Sequence, residues 1–300
     1  MISPVALWPP IVGAVLLIAG LAVARRDLAL NRGLAKWAAA AGALFAAPLA
    51  VFGMQHMIVG QFIQSMVPAW MPWRLFWTYF VGVALIAAAV SIALRRYERW
   101  SGTLLAVMIF LFVLTIHIPN TVKVPTNRIF WVVAIRDTTF AAGGLLVAGI
   151  TIKNQGGRGT DWMVLVGRLV IGAALVFFGV EHYLHPEFAP GVPLEKITPA
   201  WVPMARLWGY LVGSLLLVAG AGILTGKLAR QAAGWTGIAM LALTALLYLP
   251  IYAMASGTAA LVEGVNYVAD TMLFAGACLL LAKALDDEPS PQSRAALYTV

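Results

Sequence analysis

Nine long apolar runs divide the chain, and short polar stretches separate them. A transmembrane helix needs about 20 mainly apolar residues, and each run approaches or reaches that length. The runs are continuous and lack the two-residue alternation of membrane β-strands, so they predict helices. The predicted helices are Trp8–Ala24, Leu34–Gly53, Arg74–Leu94, Thr103–Ile118, Ile129–Ile150, Met163–His182, Arg206–Thr225, Thr236–Ala253 and Gly264–Ala284. The pattern therefore predicts an all-α polytopic membrane protein.

Composition supports a bilayer environment. Hydrophobic residues make up 62% of the chain and charged residues 11%, with a mean hydropathy of +0.89. A soluble domain usually carries about 25% charged residues, so this chain cannot cover itself with a polar surface. We assign the formal charge of +8 to basic residues beside the helix ends and not to nucleic-acid binding. A single cysteine, Cys278, excludes dithiol chemistry within the chain.

The basic residues predict the direction of the helices. With the N-terminus outside, fourteen Lys and Arg residues flank the cytoplasmic helix ends and five flank the outer ends. The positive-inside rule therefore predicts an outside N-terminus and a cytoplasmic C-terminus. Arg25 and Arg26 directly follow the first apolar run and no basic residue precedes it, which favours a retained helix over a signal peptide. The tail at 286–300 is expected to be disordered and cytoplasmic.

The chain contains an internal repeat. Four motifs recur in the same order: FGMQH (52–56) and FGVEH (178–182), PAWMP (68–72) and PAWVP (199–203), HIP (117–119) and YLP (248–250), and DT (137–138) and DT (270–271). The second copy has five more residues between its first two motifs. Each copy contains four predicted helices, an even number, so both copies cross the membrane in the same direction. This predicts a parallel repeat.

The repeat defines the predicted organisation. An N-terminal helix with a basic loop occupies 1–33, a first four-helix unit 34–150, a linker 151–162 and a second four-helix unit 163–285. In each PAWxP motif the first proline stops the preceding helix and the second suits the first turn of the next. Tryptophan prefers the headgroup region, so each motif is expected to form a corner at the membrane surface.

These landmarks carry a resemblance to a known family. An apolar helix ending in Phe-Gly-x-x-His, a Pro-Ala-Trp-x-Pro loop and a helix with a Trp-x-Tyr-x-x-Gly pattern resemble the DoxX-type membrane proteins. The resemblance covers about 34–150 and again 163–284. It implies a four-helix fold in the bacterial inner membrane, and some relatives are associated with quinone-linked oxidation or with redox-protective complexes. The chain departs from the usual single unit by fusing two copies that differ at several polar positions.

Repeated polar residues are expected to gather at the outer helix ends and to bind a ligand there. The candidates are His56, Trp70, His117, Arg136, Asp137, Glu181, His182, Trp201 and Asp270. A carboxylate in a transmembrane helix costs about 2.5–3.5 kcal/mol near the bilayer centre, so an Asp in both copies implies a partner. We expect His56 beside Asp137 and His182 beside Asp270, each under its own tryptophan loop. Such pairs fit a structural lock as well as a ligand site.

Two other features limit the candidate chemistry. Arg136 has no basic counterpart, since Ala269 holds that position, and is expected to pair with an acid on a neighbouring helix. Glu181, His182 and His185 share a helix face, but the first copy lacks two of them, so no metal site is predicted. A haem between the two repeated histidines is likewise disfavoured.

A quinone is the favoured ligand, because His and Asp can hydrogen-bond to its oxygens while Trp packs on its ring. The protein would then belong to a quinone-linked oxidoreductase system, with a soluble or membrane redox partner. Two alternatives stay open: a small-solute or proton-coupled transporter, and a non-enzymatic assembly or receptor subunit. Polar residues thin out in the inner halves of the helices, which argues against the transporter. Catalysis and oligomeric state are left undecided.

Overall fold

A computed structural model describes residues 4–286 of the chain, and these form nine long helices with no β-strand among them. Each helix is long and apolar enough to cross a membrane. They are α1 (Pro4–Val23), α2 (Gly33–Ile58), α3 (Arg74–Ala93), α4 (Glu98–Lys123), α5 (Arg128–Asn154), α6 (Asp161–Leu184), α7 (Ala205–Thr225), α8 (Ala229–Ala253) and α9 (Thr258–Ala284). The predicted all-α, multi-pass membrane fold is confirmed; the predicted tail at 286–300 lies almost wholly outside the described residues.

All of the helices except α3 are longer than the apolar runs that predicted them. α4 begins at Glu98 and not at Thr103, and α8 begins at Ala229 and not at Thr236. Their first turns carry charged or polar side chains, which lower the local hydropathy although the backbone is already helical. A short helix at Arg25–Leu30 also connects α1 to α2.

One backbone irregularity recurs at the spacing of the sequence repeat. α4 widens into a π-helical turn at Val113–His117, and α8 does the same at Thr244–Tyr248. Each turn runs into a proline, Pro119 or Pro250, whose missing N–H cannot bond the carbonyl four residues earlier. Residues with left-handed backbone introduce α3 and α7 at equivalent positions. These matches extend the repeat from sequence to local structure.

The two four-helix units interlock. Within the units α2 pairs with α3, α4 with α5, α6 with α7, and α8 with α9. Between the units α2 packs against α9, and α5 packs against both α6 and α9. The first helix of each unit thus lies against the last helix of the other. The linker therefore separates the units along the chain but not in space.

α2 and α9 are the central helices, with 78% and 83% of their apolar windows buried. Phe45, Phe140 and Phe274 lie near the middle of their helices and are at most 4% exposed. A Cβ at Gly276 of α9 would stand 2.7 Å from Phe45 Cα, so the absent side chain lets the central helices touch. The three phenylalanines belong to one buried apolar cluster between the two polar ends of the molecule.

Two glycines place a histidine in each unit. A Cβ at Gly82 of α3 would lie 2.8 Å from the Cβ of His56, and a Cβ at Gly213 of α7 would lie 2.9 Å from the Cβ of His182. Because neither glycine carries that atom, α3 and α7 approach the last turns of α2 and α6 closely. The repeated histidines therefore occupy equivalent positions.

Candidate functional site

Polar side chains gather where α2, α4, α6 and α8 end and where α5 and α9 begin. We call this the histidine end, because it contains His56, His117, His182 and His185. The loop at 185–204 between α6 and α7 covers part of it. Every predicted site residue lies at this end, although the contacts among them differ from those expected.

The first unit contributes a histidine–aspartate pair. His117 Nε2 lies 2.9 Å from Asp137 Oδ2, and each side chain keeps 18% of its surface exposed. His117 closes the π-helical turn of α4, which turns the ring toward α5. A carboxylate can only accept a hydrogen bond, so His117 Nε2 is the donor. The other ring nitrogen, Nδ1, takes no part in this contact. No other described residue hydrogen-bonds to this ring.

Arg136 joins the two units. Its Nη1 lies 2.8 Å from Asp270 Oδ2 on α9 and 3.8 Å from Glu195 Oε1 in the loop at 185–204. Its Nε lies 3.6 Å from Asp137 Oδ1. The expectation that Arg136 pairs with an acid on a neighbouring helix is confirmed. One guanidinium therefore balances the charge of both repeated aspartates.

The predicted pairing of the repeated residues is wrong. His56 Nδ1 bonds the carbonyl oxygen of Phe52 at 2.8 Å, and His182 Nδ1 bonds that of Phe178 at 2.5 Å. Both rings turn back along their own helix to the carbonyl four residues earlier. Asp137 accepts from His117, and Asp270 accepts from Arg136. The prediction assumed that each unit satisfies its own aspartate, whereas the arginine crosses between the units.

The second unit contains a buried loop segment that the first unit lacks. Residues 189–194 are buried, and Ala189, Val192 and Leu194 are at most 1% exposed. The N–H of Gly191 donates to His182 Nε2 at 3.0 Å. The Tyr248 hydroxyl donates to the carbonyl oxygen of Pro190 at 2.9 Å. We call residues 189–194 the inserted segment, since they lie in the loop where the second copy has five extra residues.

Arg128 secures the end of the inserted segment. Its Nη2 donates to the carbonyl oxygen of Leu194, and its guanidinium carbon lies 4.2 Å from the ring centroid of Phe188. Its Nη1 lies 3.9 Å from Glu181 Oε2. Glu181, a predicted site residue, therefore serves as a counter-charge to the arginine that holds the loop. Buried backbone groups need such partners, which makes this a structural arrangement.

Glu195 follows the inserted segment and keeps 33% of its side chain exposed. Burial raises the pKa of its carboxyl above the ordinary value, although Arg136 and Arg128 pull in the opposite direction and Glu263 adds to the rise. Lys196 Nζ bonds Glu263 Oε2 at 3.1 Å, which ties the loop to α9. The loop thus carries its own charged contacts to α5 and α9.

The two tryptophans of the PAWxP motifs face outward. Trp70 is 72% exposed and Trp201 is 47% exposed. Both belong to the loops that connect the first two helices of their units, which suits a position at the membrane surface. The expected His56–Asp137 and His182–Asp270 pairs do not form, so the expectation that each pair lies under its tryptophan loop is wrong.

Sequence reasoning missed four contributors: Arg128, Gly191, Glu195 and Tyr248. The sequence identifies Arg128 only as one of the five basic residues at the outer helix ends. It identifies Tyr248 only as the residue that aligns with His117. The five-residue difference between the loops was the available signal, but length alone does not show that a loop turns inward. A further contact, from Gln55 Nε2 to Asn266 Oδ1 at 2.6 Å, links α2 to α9 at the same level.

The geometry gives no metal site: among residues 4–286, no three His, Cys, Asp or Glu side chains are grouped so as to hold an ion.

Residues 44–136 match one family model. It is described as Domain of unknown function (DUF8561). The matched region runs from the middle of α2 to Arg136 in α5, so it covers most of the first unit and includes His56 and His117. No curated protein and no solved structure matches the chain.

Proposed function

We propose that the protein binds a small, largely apolar molecule with hydrogen-bonding oxygens at its histidine end, in the first unit, and that this ligand is a quinone. The observation that carries the proposal is the His117–Asp137 pair, in which both side chains keep 18% exposure. In the second unit the equivalent tyrosine and aspartate are engaged with protein groups. A binding site therefore fits the first unit better than the second.

The pair has the chemistry for a hydroxyl or carbonyl ligand. With Nε2 donating to Asp137, the neutral imidazole has a lone pair on Nδ1, which can accept the hydroxyl proton of a quinol. When the ring is protonated, the same nitrogen can donate to a quinone carbonyl oxygen. Asp137 holds the ring in a fixed orientation, and Arg136 supplies the balancing positive charge 3.6 Å away. The pair therefore suits both oxidation states of one ligand.

The resemblance to DoxX-type proteins supports a redox-active ligand. We infer from it that the chain is an inner-membrane component of a quinone-linked oxidoreductase system, with its N-terminus outside and its histidine end in the outer leaflet. Trp70 and Trp201 at the surface of the same end agree with an interfacial position. A quinone headgroup prefers this depth, because its oxygens are polar while its ring and tail are apolar.

A proton-coupled transporter is less well supported. Transport across the bilayer requires polar groups along a continuous path. Phe45, Phe140 and Phe274 instead form an apolar layer between the two polar ends. Thr139 and Thr271, the buried hydroxyls near that layer, donate to carbonyl oxygens of their own helices. They are therefore not placed to relay a proton.

Binding of a short-tailed benzoquinone to the protein in lipid nanodiscs tests the proposal. We expect His117→Gln to weaken binding by about tenfold, because a hydrogen bond to a charge-supported group contributes about 1.5–3 kcal/mol. His185→Gln is the control, since His185 lies at the same end but its side chain contacts only the loop residues Glu187, at 3.7 Å, and Phe188, whose ring it meets edge-on. Calorimetry gives both affinities. Equal affinity for the two variants, or no binding by the wild type, would refute the proposal.

A further inference from the structure

A cavity of about 230 Å³ lies at the end of the molecule opposite to the histidine end. We call this the arginine end; it contains Arg95, Glu98 and Lys283. Helices α1, α2, α3, α5 and α9 and the first residue of α4 line the cavity, and small residues form much of its wall: Gly20, Ala39, Gly42, Ala43 and Ala93. Outside its own helix, the nearest atom to a Cβ built at Gly42 would be Ile92 Cγ2, 3.9 Å away. Gly42 therefore leaves space that a larger side chain would fill.

Glu98 and Lys283 line this cavity with opposite charges that attract each other but form no ion pair within 4.0 Å. Lys283 makes no ion pair within 4.0 Å among the described residues. Glu98 accepts one long hydrogen bond, from Thr151 Oγ1 at 3.5 Å. The third charge, on Arg95, is already bound to Asp27 Oδ2 at 2.6 Å. One ammonium and one carboxylate thus face the same space with their hydrogen-bonding capacity largely unused.

The residues at the repeat-equivalent place of the second unit are different and include a large side chain. Arg168 stands where the first unit has Gly42, and a Cβ at Gly226 would lie 2.6 Å from its Nη1. Ala229 takes the place of Glu98, and Ile150 of the first unit takes the place of Lys283. The small residue at position 42 and the two opposite charges therefore occur at only one of the two equivalent places.

We propose that this cavity binds a small zwitterion, with its anionic group on Lys283 and its primary ammonium group on Glu98. A cavity of about 150 Å³ holds benzene, so 230 Å³ corresponds to roughly nine heavy atoms. That size fits a free amino acid or the phosphoethanolamine headgroup of a lipid. Thr151 and Asn154 on α5 offer further hydrogen bonds. The ligand neutralises both charges, which unpaired ions near an apolar region need.

Thermal unfolding of the protein in detergent, with millimolar O-phosphoethanolamine, tests the proposal directly. Inorganic phosphate and ethanolamine carry the two charged groups separately and serve as half-ligands. We expect the zwitterion to raise Tm more than either half-ligand. Lys283→Gln should weaken binding about tenfold, because it removes a charge-assisted hydrogen bond. Gly42→Leu should abolish the shift by filling the cavity, and Gly42→Ala, which fits the open space, should retain it.

The lipid source is separated from the soluble source by native mass spectrometry of protein reconstituted in vesicles of phosphatidylethanolamine and phosphatidylglycerol. Selective retention of phosphatidylethanolamine by the wild type and by Gly42→Ala, but not by Gly42→Leu, identifies a lipid headgroup. A Tm shift by the soluble zwitterion without lipid retention identifies a free solute. The proposal is overturned if neither is seen, if phosphate alone stabilises as much as phosphoethanolamine, or if Lys283→Gln binds as the wild type does.

Discussion

The two four-helix units share one arrangement of helices but differ in their polar contacts at the histidine end. In the first unit the π-helical turn of α4 presents His117 to Asp137, and both stay partly exposed. In the second unit the equivalent turn presents Tyr248 to the inserted segment, and the tyrosine is 1% exposed. Asp270, the counterpart of Asp137, is bound by Arg136. The same backbone arrangement thus holds an accessible polar pair in the first unit and a closed structural lock in the second unit.

This difference shows how two units with the same repeated residues can differ in their contacts. His182 keeps the position of His56, but its Nε2 accepts the N–H of Gly191, which would otherwise be buried without a partner. No described residue hydrogen-bonds to Nε2 of His56. A residue type that the repeat preserves is therefore structural in one copy and available in the other. Identity at a repeated position does not imply an identical role.

The largest effect is expected from removing the arginine that both units share. Arg136→Gln leaves Asp270, whose side chain is 8% exposed, without its ion-pair partner. Breaking a buried pair in this way should cost about 3 kcal/mol of stability, measured as unfolding in detergent. The double variant Arg136→Gln/Asp270→Asn should recover part of the loss. A single variant as stable as the wild type would show that Arg136 is not the link between the units.

A smaller effect is expected from the inserted segment. Gly191 has a backbone φ of 134°, and a Cβ there would lie 2.9 Å from the Tyr248 hydroxyl oxygen. Gly191→Ala should therefore cost about 2 kcal/mol through backbone strain and the displaced tyrosine. Gly156→Ala is the matched control, because its φ is 77° and nothing lies within 4 Å of the added atom. Equal losses in the two variants would contradict the close fit of the segment against α8.

The smallest effect is a pH dependence from the loop at 185–204. The pKa of Glu195 is raised from 4.5 by burial, so the folded state favours its neutral form. The contribution of the neutral Glu195 carboxyl to the stability of the folded state is fully present below pH 4.5. It is lost as the pH rises through the raised pKa. Glu195→Gln stays neutral, so its Tm relative to the wild type should increase as the pH rises above 4.5. A constant difference across that range would rule out this role for Glu195.

Much of the fold could be predicted from the sequence, because apolar runs of membrane length leave the backbone few alternatives to a helix. The repeated prolines at 119 and 250 also marked equivalent places in α4 and α8. Partners at the histidine end were harder to predict. Arg136 reaches across to α9. The interlocking of the units allows this contact, and the sequence of neither copy predicts that interlocking. Tyr248 acquires its role only through a loop whose path depends on α5, α6 and α8 together.

Parallel measurement of Asp137→Asn and Asp270→Asn tests the central claim, that the first unit holds the ligand site and the second holds a structural lock. The two changes are chemically identical and fall at equivalent positions of the repeat. Affinity for a short-tailed benzoquinone and Tm would be measured for both in nanodiscs. Asp137→Asn should weaken binding about tenfold with little change in Tm, and Asp270→Asn should lower Tm with affinity nearly unchanged. The opposite pattern, or equal effects of the two variants, would contradict the account.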